Sequence, residues 1–128
     1  MSKIIAKKIV SERINKKIKT TKELVKIIES AVGAKYFNKN HPERQIFQAI
    51  RIEVNHELDI LEKSITDALD ILNVGGRVAV ITFHSLEDRI VKEMFAAASN
   101  PPKIDKNIPI LPKDMPEAEF KLVTRKPI

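Results

Sequence analysis

Apolar positions along the chain recur at helical spacing in four stretches and form one unbroken run, and the two patterns predict different elements. Ile4, Ile5, Ile9, Ile14 and Ile18 return near every third or fourth residue, with Lys3, Lys7, Lys8, Lys16 and Lys17 between them. This predicts an amphipathic helix from Lys3 to about Lys17. Thr20-Thr21-Lys22-Glu23 has capping-box spacing and opens a second helix striped by Leu24, Ile27, Ile28 and Ala31, which Gly33 ends. Together these predict a basic helical hairpin. Ala34 to Asn40 reads as a polar connector whose Tyr36 and Phe37 suit either base stacking beside lysines or the plugging of a domain junction. Pro42 suits a first helical turn, and Phe47, Ile50, Val54, Leu58, Leu61, Ile65, Leu69 and Leu72 continue the stripe. One long helix fits this pattern, and Ser64 with Asp67 offers an alternative break near residue 63.

The unbroken run is Val78 to Phe83, introduced by Gly75-Gly76. Continuous β-branched apolarity without alternation predicts a strand covered on both faces, as in the middle of a parallel sheet. Ser85 with Asp88 has the spacing of a capping box, so the strand leads through the elbow His84-Ser85 into a helix from Leu86 to about Ser99. The carboxyl end of a strand is where ligands sit in open α/β sheets. Asn100 to Pro116 carries five prolines and reads as irregular, and Phe120 to Thr124 as a second short strand. Two strands cannot pair both edges of a buried one. The chain therefore reads as part of a larger α/β domain, its remaining strands coming from another segment or another copy, with a homo-oligomer through strand edges as one consequence.

Composition narrows the partners. The 128 residues suit one domain with a moderate core, and 43% hydrophobic content is globular. No run reaches membrane-spanning length, and Met1 to Val10 lacks the pattern of a secretory signal. With no cysteine, disulfides and thiolate metal sites are excluded, and a cytoplasmic setting is expected. Residues 1–45 hold 12 Lys and Arg against 4 Asp and Glu, or +8, whereas residues 46–128 hold 11 against 13, or −2. A basic amino-terminal third suggests an anionic partner, with RNA foremost, and a merely solvated lysine surface as the bland alternative. The cations that would grip it are Lys7, Lys8, Lys16, Lys17, Lys22, Lys35, Lys39 and Arg44.

Candidate chemistry is sparse. Gly33, Gly75 and Gly76 are the only glycines, too few to build a glycine-rich loop for a cofactor. A Ser-His-acid hydrolase is unsupported, because neighbours on one elbow do not set a base against a nucleophile and no G-x-S-x-G occurs. His41, His56 and His84 show no metal-ligand spacing, so no metal is expected. Capping accounts for Ser85 and Asp88 and leaves His84 as the pocket candidate. Arg44, Gln48, Arg51 and Asn55 share one helical face without a carboxylate, which suits phosphate or base-edge recognition, or an ordinary solvated face.

Several of these stretches carry a family resemblance. His41-Pro42, Phe47-Gln48-Ala49-Ile50-Arg51-Ile52, Val54-Asn55 and Glu57-Leu58 resemble the signature of the bacterial ribosomal RNA small-subunit methyltransferase H family, RsmH or MraW. So do Gly75-Gly76-Arg77, the run Val80 to Lys92 and the closing Leu122 to Ile128, and the likeness covers essentially the whole chain. It implies methyl transfer from S-adenosylmethionine to the exocyclic amine of a cytidine in the decoding region of the small subunit. It also implies a Rossmann-like methyltransferase sheet with a helical insert, of which residues 1–40 resemble most of the insert and residues 41–128 the last part of the sheet domain. Gln48, Arg51, Asn55, His84, Ser85 and Glu87 fall in the most distinctive motifs, so the resemblance implies a role for them in the cytidine or cofactor pocket. The family's glycine-rich cofactor loop, its ribose-binding acid and its Asp-Leu-Gly-Val-Ser-Ser segment have no counterpart here. Gln45 stands where the family usually has Arg. The expectation is a fragment that neither binds the cofactor nor turns over alone, with its catalytic residue in the missing half.

Overall fold

The computed structural model describes residues 1–101 and 116–124. Within them the chain forms six helices: α1 (Ser2–Asn15), α2 (Thr21–Val32), α3 (Ala34–Asn40), α4 (Pro42–Asn55), α5 (Glu57–Asp70) and α6 (Ser85–Ala98). No strand occurs among the described residues. They divide into two compact units, Met1–Asn55 and a second that begins at His56.

The first unit is built on the expected hairpin. Thr20 caps α2 by accepting from the Glu23 amide at 3.2 Å, while the Glu23 carboxylate accepts from the amides of Thr20 at 3.1 Å and Lys19 at 2.8 Å. The helix stops at Gly33, whose φ of +80° a side chain would resist. Ile5, Leu24 and Ile28 are buried between α1 and α2, with Ile9, Ile18, Phe37, Ile46 and Phe47 packed around them. The stretch expected as a polar connector is the helix α3. Phe37 packs against the core inside the first unit, and Tyr36 is half-buried.

The long helical pattern from Pro42 to Leu72 does not form one helix. It breaks at His56, which sits in the left-handed region at φ 52°, and Ser64 lies uninterrupted inside α5. A left-handed residue without glycine's freedom ends the helix whatever the apolar spacing predicts. The division of the chain into units falls at the same place.

In the second unit α5 packs against α6, burying Ile65, Ile90 and Val91. Glu57, at the first residue of α5, and His84 and Glu87, at the start of α6, bring side-chain ligand atoms within 4.8 Å of one another. The two helices therefore begin together and run the same way. Residues 71–84 must retrace the length of α5, about 21 Å at 1.5 Å per residue. The return begins with a tight turn: Gly75 takes φ +82°, and the Gly76 amide donates to the Asn73 carbonyl at 2.8 Å.

The ribbon 78–83 occupies that return path but is not a strand. None of residues 77–82 makes a backbone–backbone hydrogen bond among the described residues. Val78, Val80 and Thr82 are half-buried, whereas Ile81 and Phe83 are 83% and 90% exposed, so coverage on both faces is not found. Residues 120–124 are likewise unpaired, and Val123 is 74% exposed. The expected sheet is not found among the described residues, because a strand is stabilised by cross-strand hydrogen bonds and side-chain pairs and no described neighbour supplies them. Most of the proline-rich stretch and the closing Arg125-Lys126-Pro127-Ile128 lie outside the described residues. No described helix is long and apolar enough to cross a membrane.

Candidate functional site

The elbow at the start of α6 differs from its sequence reading in one respect that alters its chemistry. The helix begins at Ser85, and the cap is His84. Its Nδ1 accepts from the Glu87 amide at 3.3 Å, and Glu87 Oε2 accepts in return from the amides of Phe83 at 2.8 Å and His84 at 3.3 Å. Ser85 is exposed, and Asp88 pairs with Lys92 at 2.7 Å. Capping thus explains His84 and Glu87, and the expected Ser85–Asp88 box is corrected. Histidine was overlooked as a cap because Ser, Thr, Asn and Asp hold that place by preference, although an imidazole nitrogen accepts equally well when it carries no proton.

The cap also orients the imidazole. With Nδ1 accepting, the proton of the neutral ring belongs on Nε2, an assignment that follows from the hydrogen-bond pattern. Nε2 is buried without a hydrogen-bond partner and lies 3.4 Å from Glu87 Oε1. Glu57 completes a half-buried group of one imidazole and two carboxylates with metal-ligand spacing. Histidine spacing alone missed this group because two of its members are glutamates and Glu57 arrives from the start of another helix. A cation would have to displace the Nε2 proton and would sit at the positive end of α6. As built, the group sets the buried Nε2–H donor beside two carboxylates, one of which, Glu87, is already engaged by the cap.

On α4, Arg44, Arg51 and Asn55 are exposed and Gln48 is half-buried, and all four lie on the one helical face that their spacing assigns them. They belong to the first unit, whereas His84, Ser85 and Glu87 belong to the second.

The basic residues of the first unit are mostly on its surface. Lys7, Lys16, Lys17, Lys22, Lys35 and Lys39 are exposed, and Lys8 is half-buried. Two of them bind their own chain, Lys8 to Glu12 at 2.9 Å and Lys16 to Glu23 at 3.2 Å. Backbone amides first of all, Lys19 ahead of the Lys16 ammonium and Thr20, pull the Glu23 carboxyl down from 4.5 to about 2. An open cleft of about 620 Å³ is lined by Lys35, Tyr36, Lys39 and Asn40 with Val32 to Ala34 behind them. A second, of about 580 Å³, has an isoleucine floor (Ile9, Ile14, Ile18, Ile50) and a rim of Arg13 and Lys17. The first combines one aromatic ring with two lysines in its lining, residue types that can stack a base and hold its phosphate. The second has no ring to stack on.

Neither cleft fits S-adenosylmethionine. Both lack a carboxylate for a ribose or an amine, and their cationic rims repel a sulfonium. Gly33 is the one glycine in either, at the end of a helix and outside any phosphate-type loop.

Compared with known proteins, the chain matches the sequence model of the MraW methylase family over residues 1–128. No solved structure matches it.

Proposed function

Since the chain belongs to the MraW methylase family, a family of methyltransferases, we propose that it supplies part of an enzyme that methylates N4 of a cytidine in the decoding region of small-subunit ribosomal RNA. The observation that carries this reading is the family match along the full 128 residues, together with the motif residues Gln48, Arg51, Asn55, His84 and Glu87. In this proposal residues 1–40 are an insert and residues 41–128 the closing part of the methyltransferase domain. The amide and guanidinium groups of α4 read base edges or phosphates, and the Nε2–H of His84 donates to a polar atom of the bound base or cofactor. The methyl donor, S-adenosylmethionine, is held by the family's glycine-rich half, so this chain alone is inactive.

Isothermal titration of the chain with S-adenosylmethionine tests it. The expected result is no heat of binding, with methylation of small-subunit RNA appearing once the family's amino-terminal half is added. Tight cofactor binding by the chain alone, or continued inactivity of the reassembled pair, overturns the proposal.

A second reading, a basic helical module that holds RNA without catalysis, is favoured by one specific observation, the Lys35–Tyr36–Lys39 cleft on a unit rich in lysine. Neutralising lysines distinguishes a phosphate grip from a solvated surface.

A further inference from the structure

The ribbon 78–83 has the composition of a strand but no pairing neighbour among the described residues, and its sequence is complementary to itself. Residues 78–83 carry no charge, no proline and no glycine, and they are largely β-branched. Such segments pair readily with another strand when left open at an edge. On alternate positions Val78, Val80 and Thr82 are half-buried, whereas Ile81 and Phe83 stand in solvent.

We propose that two copies of this chain pair through these ribbons, antiparallel about a twofold axis that passes beside Ile81. Three observations select the occupant and the register. Residues directly opposite in an antiparallel pair share a face, so the exposed set must meet the exposed set, which leaves registers that place one residue opposite itself. Centring on Ile81 sets Phe83 opposite the small Ala79 of the second copy at both ends and pairs residues 79–83. Centring on Val80 would set Phe83 against Arg77. The chosen register also brings Arg77 beside the acidic first turn of the second copy's α6, where Glu87 and Asp88 stand.

Hydrogen-bond supply agrees with it. The Phe83 amide, on the far edge, donates to Glu87, and so does the His84 amide, which ends the ladder after residue 83. The N–H and C=O groups of Val80 and Thr82 lie on one edge and form no backbone–backbone bond among the described residues, so each exchanges both bonds with its counterpart in the other copy. Ile81 then forms a non-hydrogen-bonded pair with itself, Cα atoms about 4.5 Å apart. The isologous contact closes on two chains.

The inference does not depend on the methyltransferase reading, and light scattering on the intact chain tests it. The expected mass at tens of micromolar is twice the 14.5 kDa of one chain. Ile81→Lys, which sets like charges against each other on the axis, returns it to one, while Ile14→Lys on α1 leaves it doubled. Circular dichroism shows that both variants keep their helices. Because the protein has no cysteine, Ile81→Cys forms a disulfide-linked dimer on oxidation, the separation being within disulfide reach, and Val80→Cys does not. A monomeric protein, whose ribbon is then left for a strand of a different polypeptide, overturns the proposal. So does a dimer indifferent to Ile81→Lys, or equal cross-linking at residues 80 and 81.

Discussion

Glu23 shows how much a single side chain does in this fold. It closes the turn between α1 and α2 by accepting from two amides and the Lys16 ammonium, and it is ionised well below the ordinary carboxylate range for that reason. A depressed folded pKa contributes stability that is complete above the unfolded value near 4.5 and is lost as pH falls toward about 2. Thermal melts should therefore show the chain losing stability between those limits, and Glu23→Gln should lower stability at neutral pH and flatten that part of the profile. His84 is the second such residue. Its replacement by Ala should cost about 1 kcal/mol of stability, as other lost helix caps do. His84→Asn keeps an acceptor at the cap and should retain most of it. In the reassembled enzyme, activity that falls in both variants assigns Nε2–H a role in the pocket, whereas activity restored by Asn assigns His84 to the cap alone. The spacing of His84 and Glu87 was visible in the sequence. Which of His84 and Ser85 starts the helix was not, since either side chain offers an acceptor, and the backbone angles choose between them.

Among the elements, α2 was the most legible. Thr20, Glu23, the stripe through Leu24 and Ile28, and Gly33 are all local signals, and each does in the structure what its chemistry suggests. The long pattern from 42 to 72 shows the opposite. Its apolar spacing is continuous across His56, so periodicity could not mark a break that depends on one residue's φ. The turn before the ribbon lies between these extremes. Two adjacent glycines announce it, and the structure shows that Gly76 is constrained by closeness: a Cβ there would stand 2.8 Å from the Asn73 carbonyl oxygen and 2.7 Å from Leu72 Cδ1. Gly76→Ala should cost about 1–3 kcal/mol, as steric strain at a fixed turn does, readable as a lowered midpoint in urea. Gly75→Ala should cost about 1–2 kcal/mol by a different route, the left-handed backbone that φ +82° imposes.

Across the whole molecule, charge and incompleteness govern what the protein can do. The positive excess is confined to the first 45 residues, and several of the lysines that make it stand exposed on α1, α2 and α3. If they hold RNA, log affinity falls linearly with log salt, and the slope shrinks by roughly 0.7–0.9 for each phosphate contact removed. Changing Lys7, Lys8, Lys16 and Lys17 together to Gln should weaken RNA binding and flatten that slope. Lys7 and Lys17 carry most of the expected effect, because Lys8 and Lys16 are already paired with Glu12 and Glu23. Tyr36→Ala should weaken binding with the slope unchanged, since stacking releases no counterions. Filter binding across a salt series measures both, and an affinity unmoved by the four changes sinks the grip.

Local chemistry written into the chain was enough to establish a basic helical hairpin, the capped start of α6 near residue 85, the glycine turn and membership of a methyltransferase family, because caps, stripes and motifs act over a few residues. Whether Val78 to Phe83 is a strand was beyond its reach. A helix satisfies its backbone within its own segment, but a strand needs a neighbour. Among the described residues folding brings none to the ribbon and leaves Ile81 and Phe83 in solvent. The meeting of Glu57 with His84 and Glu87 belongs to the same class, since it follows from two helices packing side by side with their first turns together.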